Sequence, residues 1–204
     1  MNQRTARPDD VDAVTATIAL AFRDDPVWGP ALVSADGSTG HLLPFWRFFV
    51  EGAVGHGTIS LVDGPDGEVA TVAVWLPPGV DELTPEQDRD LDALLVAALS
   101  PERYAAYEQL YALFDDAHPH ETAHMYLSLL ATHPDQRGHG IGQRLLAEDL
   151  ARFDADGLPA YLESTNPAND HRYARAGFRP VGGFRAVLDG APVTTMWRDP
   201  VGRD

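Results

Sequence analysis

The stretch Gln136–Leu146, QRGHGIGQRLL, follows the apolar run MYLSLLATHPD (125–135) and leads into a helical pattern carried by Leu146, Leu150 and Phe153. Glycine costs backbone entropy, so three of them within five residues (Gly138, Gly140 and Gly142) ask for a reason. A strand feeding a glycine-rich loop that opens a helix is an anion site in outline. Its backbone N–H groups converge, and the helix N-terminus adds a partial positive charge. Two familiar phosphate-binding patterns fail here. The GxxxxGK[ST] loop needs a lysine, and in GxGxxG the last glycine position is taken by Leu145. The spacing [QR]-x-x-G-x-G fits, as Arg137-Gly138-His139-Gly140-Ile141-Gly142. A tight strand-to-helix turn with no ligand is the alternative.

Composition narrows the functional classes. The 204 residues suit one medium domain with a full core. Fifteen basic residues against 31 acidic ones give a net charge of −16, and all fifteen are arginines. Such a chain repels nucleic acid and anionic membranes at long range. It has no lysine for a Schiff base, and any anionic ligand has to be held by local geometry against an adverse field. There is also no cysteine, which excludes disulfides, thiolate metal sites and a cysteine nucleophile and suits a cytoplasmic protein. The N-terminus lacks signal-peptide character, and no apolar run reaches the ~20 residues of a membrane span.

The pattern alternates between periods along the chain. Val11, Val14, Ile18 and Phe22 predict a first helix, and HLLPFWRFFVEGAV (41–54) a second. TISLVD and EVATVAVWLP read as strands joined by a GPDG turn. Thr84, Pro85 and Gln87 form a capping box for a helix carried by Leu91, Leu94, Leu95 and Leu99. Ser100 and Pro101 start the next helix, whose stripe of Tyr104, Tyr107, Tyr111 and Phe114 reads as core packing. After TAHMYLSLLAT (122–132) and the glycine loop come a strand at PAYLEST, a short helix at ANDHRYARAG, and a closing hairpin with a tight two-residue turn at Asp189-Gly190. The sum is an α/β or α+β fold with a mixed sheet and no linker that argues for a second domain.

SLLATHPDQRGHGIGQRLL resembles the acyl-CoA motif of the GNAT superfamily of acetyl-CoA-dependent N-acetyltransferases. A second stretch, ESTNPANDHRYARAGF, resembles the family's later motif, with Asn166, Tyr173 and Gly177-Phe178 at the matching positions. The resemblance runs from about Thr122 to Phe178. In the N-terminal half, AFRDDPVW and AVWLPPG resemble the branch that includes puromycin N-acetyltransferase. The resemblance implies one GNAT-like domain over residues 1–204, with a mostly antiparallel central sheet flanked by helices. Residues 1–115 would form the acceptor-side half, 122–186 the acyl-CoA-binding core, and 187–204 the closing strand and tail.

The family's reaction joins an amine to an acetyl thioester. Without cysteine an acyl-enzyme on sulfur is impossible, so direct attack in a ternary complex is the simplest route. The resemblance gives Tyr173 the role of acid toward the departing thiolate. Two residues compete for the base, His124 and Glu163. Strict alternation puts His124, Tyr126, Ser128 and Leu130 on one strand face, unless a bulge flips it. The resemblance places acetyl-CoA along the backbone of Leu130, Ala131 and Thr132. Its pyrophosphate would lie over Arg137, Gly138, His139, Gly140, Ile141 and Gly142, with Asn166 nearby. Gln136, Arg144, His171 and Arg172 are expected in solvent, with an approach to the cofactor as the alternative for each. Three histidines in HPHETAH (118–124) make a poor metal site, and none is expected. The acceptor is expected to be a small-molecule or peptide amine, with Asp24 and Asp25 in the region that borders its site; Trp28, Phe45, Trp46 and Trp75 are expected in core or surface, with a wall of that site as the alternative. No nucleic acid or membrane partner is expected, and dimers are common in the family, so a homodimer is an expectation. The competing functional readings are a non-catalytic acetyl-CoA-binding or sensing module and a nicotinamide enzyme.

Overall fold

A computed structural model describes residues 2–202. The chain begins with β1 (Gln3–Thr5), α1 (Val11–Phe22), the four-residue turn of helix α2 (Trp28–Ala31), and α3 (Leu42–Val54). Next come β2 (Ile59–Asp63), β3 (Val69–Leu76), α4 (Pro85–Ala98) and α5 (Pro101–Ala117). The second half holds β4 (Met125–Thr132), α6 (Ile141–Asp156), β5 (Ala160–Ser164), α7 (Asp170–Arg175), β6 (Arg179–Arg185) and β7 (Pro192–Arg198). The seven strands form one sheet in the order β1-β2-β3-β4-β5-β7-β6. Every neighbouring pair is antiparallel except β4 and β5.

Capping residues set the helix starts where the sequence places them. Thr84 Oγ1 accepts from the Gln87 N–H (3.2 Å) and Gln87 Oε1 accepts from the Thr84 N–H (2.9 Å), satisfying two otherwise free donors. Ser100 Oγ accepts from the Arg103 N–H (3.3 Å) at the head of α5. On one face of the sheet, α1, α3, α4 and α5 bury Val14, Ile18, Phe45 and Leu95 against Leu61 and Val72. On the other, α6 buries Leu145, Leu146 and Leu150 against Trp75 and Leu162. The Arg198 guanidinium pairs with both Asp154 oxygens at 2.7 Å, fixing β7 to the end of α6.

Four features differ from the sequence-based expectation. Strand β1 is present, pairing Arg4 with Leu61. Strand β4 begins at Met125, so His124 precedes it. The connection of β6 to β7 is longer than two residues: Gly190 N–H bonds to Ala186 O (3.0 Å) and Ala186 N–H to Ala191 O (2.8 Å), a helical turn closed by a glycine. Finally, β4 carries a bulge. Leu129 pairs with Val74 but Leu127 with Trp75, so Ser128 is an extra residue. Tyr126, Leu129 and Ala131 pack on the α1–α3 side, whereas Met125, Leu127 and Leu130 pack on the α6 side. The expected single face of His124, Tyr126, Ser128 and Leu130 is therefore broken, and Leu130 has crossed the sheet.

Candidate active site

The parallel ladder between β4 and β5 has two residue pairs, Met125–Ala160 and Tyr126–Tyr161. Beyond them the strands part, and a cleft of about 1480 Å³ runs from the glycine loop to the ends of α1 and α5. Register shows which main-chain groups face the gap. His133 N–H bonds to Ala70 O (2.9 Å), so by antiparallel alternation Ala131 and Leu129 also turn their polar groups toward β3. Leu130 and Thr132 turn theirs toward the gap, and both line the cleft.

At the glycine-loop end, Gly138 (φ 84°) and Gly140 (φ 70°) sit in the left-handed region, with Gly140 capping α6. Gly142 serves another purpose: a Cβ there would lie 2.8 Å from Thr132 Oγ1, so its lack of a side chain lets the helix start close to the sheet. Arg144 supplies the first α6 N–H with a partner in the helix, on Gly140 O (3.1 Å), which leaves the preceding amides open to a ligand. The Ile141 side chain is buried, so only its main chain can serve. Arg137 lines the cleft and donates to Ala21 O (3.1 Å), tying the loop to α1. His139 is exposed, with Nδ1 3.3 Å from Gln136 O. Of the four residues expected in solvent, Gln136 and Arg172 line the cleft, whereas Arg144 and His171 are exposed outside it.

Asn166 and Tyr173 line the same cleft from the segment after β5. Asn166 Oδ1 accepts from the Ala168 N–H (3.1 Å), setting the turn into α7. Burial, reinforced by the nearby Asp25 and Asp170 carboxylates, pushes the Tyr173 phenol well up, so it carries its proton at neutral pH. Asp25 joins the two lips of the cleft. Its Oδ1 caps α2 through Val27 N–H (2.9 Å) and Trp28 N–H (3.0 Å), and its Oδ2 accepts from the Thr165 hydroxyl (2.8 Å). Asp24, one residue earlier, is exposed on the rim.

The opposite end of the cleft is acidic and aromatic. Glu163 points from β5 with its side chain 3% exposed, and Oε1 has no hydrogen-bond partner among the described residues. The nearest ring nitrogen, His118 Nδ1, is 3.7 Å away. His124 donates from Nδ1 to Thr122 O (2.6 Å), leaving Nε2 as the accepting nitrogen of a neutral ring. Burial lowers its pKa, and its ring packs between Tyr161 and Trp197 at the closed end of the splay. Sequence reading missed Glu82. This carboxylate, from the β3–α4 connection, accepts from the Ser128 hydroxyl and from the Tyr111 hydroxyl (3.2 Å). Burial pushes it up, while the two hydroxyls pull it back. Trp28 and Phe114 stack nearby at 5.5 Å, so the end of the aromatic stripe forms cleft wall as well as core. Phe45 and Trp75 are fully enclosed in the two cores. Among the described residues, no group of three or more His, Cys, Asp or Glu is placed to hold a metal ion. No helix among them is long and apolar enough to cross a membrane.

A single deep cleft thus joins a glycine loop at one end to buried carboxylates at the other. The family model described as an acetyltransferase (GNAT) domain matches residues 93–180. Among solved structures, the chain is similar to a histone acetyltransferase HPA2 and related acetyltransferase from Corynebacterium glutamicum. That match has 26% identity and a TM-score of 0.71, covering 99% of this chain and 97% of the other. Two further structures share the fold. A mosquito arylalkylamine N-acetyltransferase like 5b has 19% identity and a TM-score of 0.67, covering 97% of this chain and 99% of its own. The Drosophila melanogaster polyamine N-acetyltransferase, which forms N-acetylagmatine, has 14% identity and a TM-score of 0.66, with the same coverages. Both likenesses, the domain model over residues 93–180 and the fold match over nearly the whole chain, support a GNAT acetyltransferase. These likenesses support an acyl-CoA-dependent acetyltransferase; GNAT enzymes generally take acetyl-CoA as co-substrate.

Proposed function

We propose that the protein acetylates an amine by direct attack within a ternary complex, with residues 122–186 holding acetyl-CoA and the N-terminal half, to about residue 115, shaping the acceptor side. The observation that carries this reading is the single cleft that joins the open amides of residues 138–142 to the unpartnered Glu163 oxygen. These residues fit coenzyme A. The loop offers main-chain donors and Arg137 for a pyrophosphate, and the free edge of Leu130 and Thr132 offers polar groups for an amide-bearing arm. Acetyl-CoA supplies an activated acyl group whose thiol departs.

The chain's own residues handle the protons and the charge. Glu163 takes a proton from the ammonium so that the nitrogen lone pair can attack. Main-chain donors at the bulged edge of β4 steady the carbonyl oxygen as C–N forms and C–S breaks. Tyr173 gives its proton to the departing sulfur. Of the two protons the nitrogen loses, one replaces the proton given by Tyr173 and the other leaves to solvent. Both residues line the cleft; Glu163 is favoured over His124 because it lies beyond the last β4–β5 pair, whereas His124 precedes the ladder with its ring packed between Tyr161 and Trp197. A cytoplasmic setting, where acetyl-CoA is available, suits a chain without cysteine.

Thiol release from acetyl-CoA with a panel of amines tests the reading. Tyr173→Phe and Glu163→Gln should each lower kcat by about 10²–10⁴, with the KM for acetyl-CoA nearly unchanged. Saturable coenzyme A binding without turnover of any amine would leave the non-catalytic sensing module instead.

A further inference from the structure

The cleft is divided by charge. Eight acidic residues and two arginines line it, and the arginines, Arg137 and Arg172, belong to the glycine loop and α7 at the donor end. At the acceptor end stand Glu82 and Glu163, on opposite walls and near enough for each carboxylate to feel the other. Among the described residues, neither has an arginine partner, and the basic group beside them is the His118 ring, 3.7 Å from Glu163 and beyond hydrogen-bond distance. Glu163 is almost wholly buried with one oxygen unpartnered. Glu82 is held in place by two neutral hydroxyls, with no cationic side chain hydrogen-bonded to it among the described residues. Leaving carboxylates in that state without a counter-ion is costly, and a cationic ligand removes the cost.

One positive charge does not suffice through the reaction. The nitrogen that attacks has to lose its charge first, and the product amide is neutral. A cation that stays with Glu82 from binding to release therefore has to be a different group on the same molecule. We propose that the acceptor is a dication: an amine carrying a second fixed positive group, ammonium or guanidinium, a few methylenes from the nitrogen that is acetylated. Glu163 faces the reacting nitrogen and Glu82 takes the distal cation. Trp28, Tyr111, Phe114 and Tyr126 enclose the methylenes and add their ring faces to the cation's surroundings. This assignment rests on the amine-acetylation reading above and narrows its substrate.

The test is thiol release from acetyl-CoA with acceptors matched in length: terminal butanediamine, aminobutylguanidine, butylamine and gamma-aminobutyrate. The two dications should exceed butylamine in kcat/KM by about tenfold or more, the effect of one charge-assisted hydrogen bond, and gamma-aminobutyrate should be the poorest. Comparing the diamine with the guanidine shows which cation the site takes. Glu82→Gln should shrink the ratio of dication to monoamine by at least about fivefold. The wild-type series decides the matter even if that variant folds poorly. Butylamine turned over as well as the dications would overturn the dication assignment and leave amine acetylation standing. Coenzyme A binding with no thiol release from any amine would overturn both.

Discussion

Asp149 offers a quantitative test of how α6, and with it the glycine loop, is fixed to the sheet. Its side chain is fully enclosed. Oδ1 accepts from Gln3 Nε2 (2.6 Å) and Ser60 Oγ (2.8 Å), Oδ2 accepts from Trp75 Nε1 (2.8 Å), and Arg152 pairs with it. Three strands thus donate to one helical carboxylate. Replacing Asp149 by leucine strands three buried donors, each worth about 1–3 kcal/mol. Relief from burying the charge offsets part of that, so a net loss of about 3–5 kcal/mol is expected, a large share of a typical total of about 5–15 kcal/mol. Asp149→Asn is gentler. Its carbonyl oxygen can keep Gln3 and Ser60, but its amide then meets the Trp75 N–H as donor against donor, at about 1–3 kcal/mol. In a Trp75→Phe background that conflict is absent, and Asp149→Asn should cost about 1–2 kcal/mol less. Urea denaturation of the four proteins of the cycle gives the coupling directly. Equal cost of Asp149→Asn in both backgrounds would refute the assignment of the loss to the indole bond.

Two further predictions concern stability. Arg4 hydrogen-bonds to Asp10 and holds its carboxyl down at about 2. A depressed acid stabilises the fold above its unfolded pKa of ~3.9 and loses that contribution as pH falls through its folded value. Arg4→Gln should therefore flatten the acid-induced loss of stability between about pH 4 and pH 2, and a denaturation series unchanged by the substitution would contradict the pairing. Gly142→Ala gains about 1 kcal/mol of helix propensity yet forces Thr132 Oγ1 away from its 3.0 Å contact with Thr71 Oγ1. It should destabilise alone and be rescued by Thr132→Ala, and failure of the rescue would show that the close approach is not the constraint.

Much of the fold was legible because local chemistry and tertiary structure agree. Thr84, Gln87 and Ser100 cap the helices their spacing announces, and Leu145, Leu146 and Leu150 form the buried stripe of α6. That the glycine loop and the Asn166–Tyr173 segment would line one cleft was legible for a related reason: both are contiguous stretches. The bulge was not. MYLSLLAT is apolar on both faces, so no polar residue marks where the alternation reverses, and only pairing with β3 decides it. The acceptor end was not legible either, because Glu82 and Ser128 meet across 46 residues of sequence and nothing in PGVDELTPEQ sets that glutamate apart. The Asp189-Gly190 turn misled because a favourable dipeptide does not fix loop length; the six residues Ala186–Ala191 close as a helical turn.

The extra residue at Ser128 makes β4 a strand with two phases. Up to Leu127 one parity of residue number serves the α6 core, and from Leu129 onward the other parity does. The identity of the residue at 128 can vary at the cost of one hydroxyl to Glu82, but the count of residues cannot. Losing one would bring the whole strand into a single phase. Either Tyr126 would turn away from the acceptor wall, or the main-chain groups of Leu130 and Thr132 would rotate out of the gap. In the proposed reaction, substrate recognition and acyl-group handling are thus tied to a strand length, a constraint of insertion and deletion rather than of substitution.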